Sequence, residues 1–262
     1  MNRKITGVYF SPTGGTKKTV EVIAKAIDGN VVMEDLTKLA QRLEPLSFDE
    51  SDYVVVGVPV YAGRIPLEME KYFNAMKGND TPAVCVVVYG NRDYDDALLE
   101  LTELLEKNGF RVHAGGAFIG EHSYTNLVGG GRPDQEDVEV AKDFGRTAWE
   151  KFKKRNDVSN KWKPLQVKGK HPYKERMPSA PMAPITTDDC VFCGLCAEAC
   201  PMEAVDFEDY YSVDATRCIR CCACIKICPQ DAKRFEHPMV EKITESLIAN
   251  CSNIRKDPEL FF

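Results

Sequence analysis

The sequence predicts an α/β protein of two domains: a doubly wound sheet of five parallel strands, then a second, small cysteine-rich domain. Three observations carry this. Strand-like and helix-like patterns alternate over residues 1–149. The valine-rich runs Tyr53–Val60 and Ala83–Tyr89 are apolar throughout, as strands covered on both faces by helices are. Eight of the eleven cysteines fall in two tight repeats between Cys190 and Cys228.

In chain order, Ile5–Phe10 is a short apolar run. A helix over Thr16–Asp28 follows, with Val20, Ile23, Ala24 and Ile27 at helical spacing and Gly29 as its C-cap. Val31–Met33 is the second strand, Tyr53–Val60 the third and Ala83–Tyr89 the fourth. Helices over Pro66–Met76 and Tyr94–Asn108 separate and follow these runs; the latter gathers Ala97, Leu98, Leu101, Leu104 and Leu105 on one stripe. Val112–Ile119 is the fifth strand. A last helix opens at Pro133 with Asp134, Glu136 and Asp137, acids that suit a positive helix N-terminus. Strands alternating with helices imply βαβ units.

Composition then shifts. Residues 150–177 hold ten Lys or Arg against three acids, and residues 164–184 hold five prolines. The expected divisions are residues 1–155 for the sheet domain, 156–184 for a basic linker, 185–237 for the cysteine domain, and 238–262 for a C-terminal helix and tail. The cysteine stretch carries ten acids against five bases. Opposite charges suggest a linker packed on acidic surface; a solvated tether is the alternative.

The bulk numbers exclude some classes. A net charge of −6 argues against nucleic-acid partners, which require basic surface. No apolar run approaches the ~18 residues of a membrane span, and the apolar stretch within Met1–Phe10 is too short for a secretory signal. A cytoplasmic protein without membrane or nucleic-acid partners is expected. Clustered cysteines in such a chain read as metal binding rather than as disulfides.

The repeats are Cys190-x2-Cys193-x2-Cys196-x3-Cys200-Pro201 and Cys218-x2-Cys221-x2-Cys224-x3-Cys228-Pro229, offset by 28 residues. In this motif three close thiolates wrap one corner of a [4Fe–4S] cluster and the fourth ligates the other cluster. One cluster is therefore expected on Cys190, Cys193, Cys196 and Cys228, and the other on Cys218, Cys221, Cys224 and Cys200. Structural zinc, the alternative, uses ligand pairs totalling four across a longer span. Cys222 is either an alternative ligand or a filler thiol. Cys85 and Cys251 read as buried apolar residues. This region resembles the bacterial two-cluster ferredoxins.

Between the first strand and first helix stands Ser11-Pro12-Thr13-Gly14-Gly15-Thr16. Hydroxyls and glycine amides there meet the anion-attracting start of a helix. The loop is neither a P-loop nor a G-x-G-x-x-G fingerprint. It resembles the flavodoxin phosphate loop, which implies that Ser11, Thr13, Gly14, Gly15 and Thr16 hold the phosphate of FMN and that the strand order is 2-1-3-4-5. The same resemblance implies flavin contacts from Pro59, Val60, Tyr61, Ala62, Gly63 and Arg64, and from Gly90, Asn91, Arg92, Asp93 and Tyr94. Tyr94 is the first candidate for a ring stacked on the flavin and Tyr61 the second. Arg64 or Arg92 is a candidate to balance a reduced flavin's charge, or is merely solvated. Glu121, His122 and Tyr124, after the fifth strand, are candidates to bind substrate or donate a proton; a polar loop or a contact with the cysteine domain is the alternative.

The whole chain looks like a fusion of a flavodoxin-like domain with a two-cluster ferredoxin. That implies electrons passing between two [4Fe–4S] clusters and FMN, so that single-electron delivery becomes two-electron chemistry on a redox partner protein or a small-molecule acceptor. The rival readings are a non-enzymatic carrier docking on larger partners and a redox-sensing or assembly module. Direct use of a nicotinamide is unsupported, since no fingerprint for it is present.

Overall fold

The computed structural model describes residues 3–156, 163–176 and 180–262. Its central sheet is built from β1 (Lys4–Tyr9), β2 (Val31–Asp35), β3 (Asp52–Pro59), β4 (Thr81–Tyr89) and β5 (Phe110–Ile119). These five are parallel in the order β2-β1-β3-β4-β5, the expected 2-1-3-4-5. The valine runs explain the arrangement: Val54, Val56 and Val58 face one layer, Val55 the other, and all are fully buried.

Helices α1 (Gly15–Ile27) and α4 (Gln135–Asn156) cover one face. There Val20, Ile23, Phe144 and Phe152 meet Tyr53, Val55 and Val86. Helices α2 (Leu67–Ala75) and α3 (Ala97–Lys107) cover the other, with Met69, Phe73, Leu98 and Leu101 against Val54, Val56 and Val87. Helix α1 does not end on a glycine cap. Asp28 is the cap, extended, its N–H donating to the Ala24 carbonyl at 3.3 Å, so Gly29 already belongs to the turn.

The sheet has a sixth strand that the sequence does not announce. After α7 (Pro238–Cys251), the tail returns as β6 (Glu259–Phe261) and pairs antiparallel with β5, Leu260 opposite Gly116. The tail is thus part of the first domain's sheet. It shields the β5 edge, which would otherwise expose unpaired amides and carbonyls.

The basic linker also packs, and the solvated-tether alternative fails for residues 163–176. Leu165 is buried in the core on the α3 side. The Lys170 and Lys174 amides donate to Asp96 at 3.0 and 2.6 Å. Arg176 reaches Glu100 at 2.9 Å and Glu70 at 3.2 Å. The acidic surface that receives the linker belongs to the sheet domain, not to the cysteine stretch.

The cysteine region folds around two very short helices, α5 (Leu195–Ala199) and α6 (Ala223–Lys226), tied by a two-residue ladder between Ile185–Thr186 and Lys233–Arg234. Its buried apolar cluster is small: Cys196, Ala197, Val205 and Cys224. It sits on the sheet domain. Ile219 packs into the α3-side core, Arg42 donates to the Pro201 carbonyl at 2.8 Å, and Lys226 pairs with Glu121. No helix among the described residues is long and apolar enough to cross a membrane.

Candidate redox site

Each four-residue cysteine set, joined across the two repeats, lines its own cavity. One cavity is lined by Cys200, Cys218, Cys221 and Cys224, with Cys222 beside them. The other is lined by Cys190, Cys193, Cys196 and Cys228. All eight thiols are free of disulfides. Among the described residues, no three His, Cys, Asp or Glu side chains are arranged to hold a single metal ion. Four soft sulfur donors around a void suit a polynuclear cluster better than a mononuclear centre.

The backbone shows how the repeat makes this. The residues before and after the second cysteine of each set take left-handed conformations: Phe192 and Gly194 in one repeat, Arg220 and Cys222 in the other. These kinks turn three cysteines inward within seven residues. Past each Cys-Pro the matching amides, Ala204 and Ala232, donate to the Cys200 and Cys228 sulfurs at 3.2 and 3.3 Å. Such bonds favour the charged form of a thiolate. Cys222 occupies the position of Gly194, at φ 61°, and is buried. A residue with a Cβ is strained there.

The first loop has the form of an anion cradle. The Ser11 hydroxyl accepts from the Lys17 amide at 2.9 Å, and the Ser11 amide donates to Thr37 at 3.0 Å, which holds the loop against the start of α1. The first intrahelical bond runs from the Lys18 amide to Gly14 at 3.0 Å, so the Gly15 and Thr16 amides lie ahead of the helical ladder. A Cβ at Gly14 or Gly15 would meet nothing within 4 Å, so the space over these amides is open. Thr13 is exposed beside them and Thr16 is buried beneath. Thr37, after β2, is a supporting residue that the motif did not reveal.

The other two loops meet the sequence expectations only in part. Tyr61 to Arg64 forms a tight turn, with mutual backbone bonds of 2.9 and 3.1 Å and left-handed Ala62 and Gly63 between. Gly63 is required: a Cβ there would lie 2.1 Å from the Asp95 carboxylate. Pro59 and Val60 lead into the turn half-buried, and Tyr61 is half-buried at the edge facing the cysteine domain. Cys221 and Cys222 stand close enough to add to the burial that pushes its hydroxyl pKa up.

Tyr94 is not an available stacking ring. It is 1 % exposed, packed on Tyr89, covered by Lys168 and bonded through its hydroxyl to Glu259 at 2.8 Å. The tail strand and the linker have made it a core residue. Arg64 is likewise neither solvated nor free for a ligand, because it grips Glu100 at 2.6 Å. Arg92 pairs with Asp95, Asp93 accepts from the Asp95 amide at 3.0 Å, and Asn91 spends its amide on the Cys251 and Ile254 carbonyls at 3.0 and 2.7 Å. The second loop opens at Gly90. The His122 ring lies over it, and any side chain at 90 would strike that ring.

After β5, Glu121 joins Lys226 of the cysteine domain, and Tyr124 packs between His122 and Phe235. The His122 Nδ1 accepts from the Tyr124 amide at 3.1 Å, which leaves Nε2 for the ring proton. Burial, with Lys226 and Arg92 nearby, pushes its pKa down to about 4. Tyr61, Tyr124 and Cys222 therefore form the seam between the domains. The cysteine set nearer that seam is Cys200, Cys218, Cys221 and Cys224.

Comparison with known proteins agrees with both halves. A flavodoxin domain model matches residues 8–128, and a 4Fe-4S binding domain model matches residues 183–206 and again 211–234. Among solved structures the chain is similar to a flavodoxin from the domain Archaea (22 % identity, covering 57 % of this chain and 99 % of that one, TM-score 0.42). It is also similar to oxidised Flavodoxin 2 from Bacillus cereus (20 % identity, 57 % and 99 % covered, TM-score 0.42). A flavodiiron core from Synechocystis shares 15 % identity over 58 % of this chain and 36 % of that one, with a TM-score of 0.43. No curated protein matches the sequence. This chain joins a flavodoxin domain, which takes a flavin, to a 4Fe-4S binding domain with cysteines for two clusters, and it is an electron-transfer redox protein.

Proposed function

We propose that the chain is an oxidoreductase that gathers single electrons through its cysteine domain and delivers them in pairs at an FMN held by its first domain. One observation carries this: a four-cysteine cavity, Cys200 with Cys218, Cys221 and Cys224, is set against the seam formed by Tyr61 and Tyr124. When bound, clusters exchange one electron at a time and flavin one or two, which is the chemistry the cofactors supply.

The protein's residues bind, position and exclude water. The Gly15 and Thr16 amides, with the Thr13 hydroxyl, receive the FMN phosphate at the positive end of α1. Tyr61 and the turn after it border the ring, while Tyr94 supports the site from within the core. Cys190, Cys193, Cys196 and Cys228 hold one cluster, and Cys200, Cys218, Cys221 and Cys224 the other. Ile219 and Val60 keep the seam dry. Neutral His122 is the side chain placed to hold a proton at Nε2 beside Gly90.

Anaerobic purification with iron, sulfide and flavin quantitation, followed by a reductive titration, tests this. One FMN and two tetranuclear clusters per chain are expected. A zinc-loaded, colourless protein would refute the reading; clusters with a flavin other than FMN would refute only its FMN part.

A second reading, a carrier that docks on a larger partner, is favoured by a separate observation. The outer set opens at exposed Cys193 among exposed Val191, Phe192 and Leu195. Turnover of small acceptors by the purified chain alone would decide for the enzyme. Electron exchange only in the presence of a partner protein would decide for the carrier.

A further inference from the structure

The 28-residue repeat is nearly symmetric around the cysteines, and it breaks at one buried position. Cys200-Pro201 is followed by Met202, Glu203, Ala204 and Val205; Cys228-Pro229 is followed by Gln230, Asp231, Ala232 and Lys233. The backbone keeps the symmetry, with Glu203 and Asp231 left-handed at φ 51° and 50°. Val205 and Lys233 are each 2 % exposed, and each lines the cavity of its own side. An apolar core position in one half is thus a lysine in the other.

Among the described residues, the lysine's hydrogen-bond partners are neutral. Its ammonium donates to the Thr186 hydroxyl at 2.6 Å and to the Tyr210 carbonyl, both neutral. Among the described residues no carboxylate lies within ion-pair distance of it. A buried cation without an anion is costly. What faces it is the cavity lined by Cys190, Cys193, Cys196 and Cys228.

We infer that Lys233 is the counter-charge of the cluster held by Cys190, Cys193, Cys196 and Cys228, and that it holds that cluster's reduction potential above that of its twin. The inference rests on the two-cluster reading. Four thiolates make each cluster anionic, and each one-electron reduction adds a further negative charge. A fixed cation at the cavity wall favours the reduced form, and Val205 offers no equivalent. Lys233 is a tuning residue: it touches the cavity and takes no part in bond making.

The test is an anaerobic titration of the full chain with dithionite as one-electron donor, followed by electron paramagnetic resonance. Cys193→Ser and Cys221→Ser assign the two signals. In Lys233→Val, the residue its twin position already tolerates, the outer cluster's reduction equilibrium should fall about tenfold or more, about 59 mV for one electron. The inner cluster should shift less, and Lys233→Arg should restore the potential. Loss of the outer cluster in Lys233→Val and Lys233→Gln with retention in Lys233→Arg would also support a need for charge. Unchanged potentials in Lys233→Val or Lys233→Gln, with both clusters assembled, would overturn the inference alone. Absence of iron and sulfide from the native chain would overturn the cluster reading beneath it.

Discussion

The two domains are held together by different physics. The sheet domain buries long runs of Val, Leu and Phe between two helical layers, so its core is made of side chains alone. The cysteine domain has a handful of small buried residues, helices of five and four residues, and two cavities in place of a core. Helices that short are not stable on their own. The first domain therefore carries its fold in its sequence pattern; the second carries a ligand constellation and needs the ligand to complete the fold.

Removing iron is the largest test of that contrast. Chelation under reducing conditions should unfold the region around residues 185–237 and leave the sheet intact. Hydrogen exchange should show protection lost in the cysteine stretch and kept in Val54–Val58 and Val84–Val88; equal loss in both would break the comparison.

Within the sheet domain, Glu100→Gln should come next. Glu100 is buried under Arg64 and Arg176, and removing its charge strands Arg64 and leaves Arg176 only Glu70. A loss of about 3–5 kcal/mol by urea denaturation is expected, with release of the linker visible as new proteolysis near residue 176. Leu101→Ala, at a fully buried position, should cost about 2–5 kcal/mol, whether or not iron is present. A dependence on iron would mean the two cores are not separate.

Acid should act more weakly and through one histidine. Since the folded pKa of His122 is pushed to about 4 from an ordinary 6.5, the unfolded chain binds the extra proton first. Stability is full above pH 6.5 and falls as pH drops toward 4, by up to about 2 kcal/mol after allowing for partial exposure. His122→Phe should flatten that slope; an unchanged slope would place the acid sensitivity elsewhere. Glu21→Gln, which removes the exposed pair with Lys25, should change stability by less than about 0.5 kcal/mol.

Legibility followed the same division. β3 and β4 were readable because each is a nearly continuous buried apolar run, and the helices because their stripes repeat every three or four residues. The cysteine sets were readable because ligand spacing is local. What escaped was long-range. Tyr94 follows its strand as a flavin-stacking ring would, but Glu259, 165 residues on, and Lys168 enclose it. β6 is only three residues long, with no period to detect. The sequence did not say which acids the linker packs on, because Asp96 and Glu100, at the start of α3, lie some 75 residues earlier. Lys233 could have been noticed by laying one repeat over the other and asking which interior letter changes its charge.

The antiparallel strand at the far edge of the sheet has one more effect. Because the linker is fastened to the sheet domain as far as Arg176 and the tail docks again at Glu259–Phe261, the cysteine region is a closed excursion moored at both ends. Its two metal cavities cannot drift on a single flexible leash. The entropy of bringing them to the flavin loops is spent once, when the chain folds, rather than at each electron transfer. A single peptide cleavage within that excursion should leave the two fragments gripping one another, and the distance between redox centres unchanged.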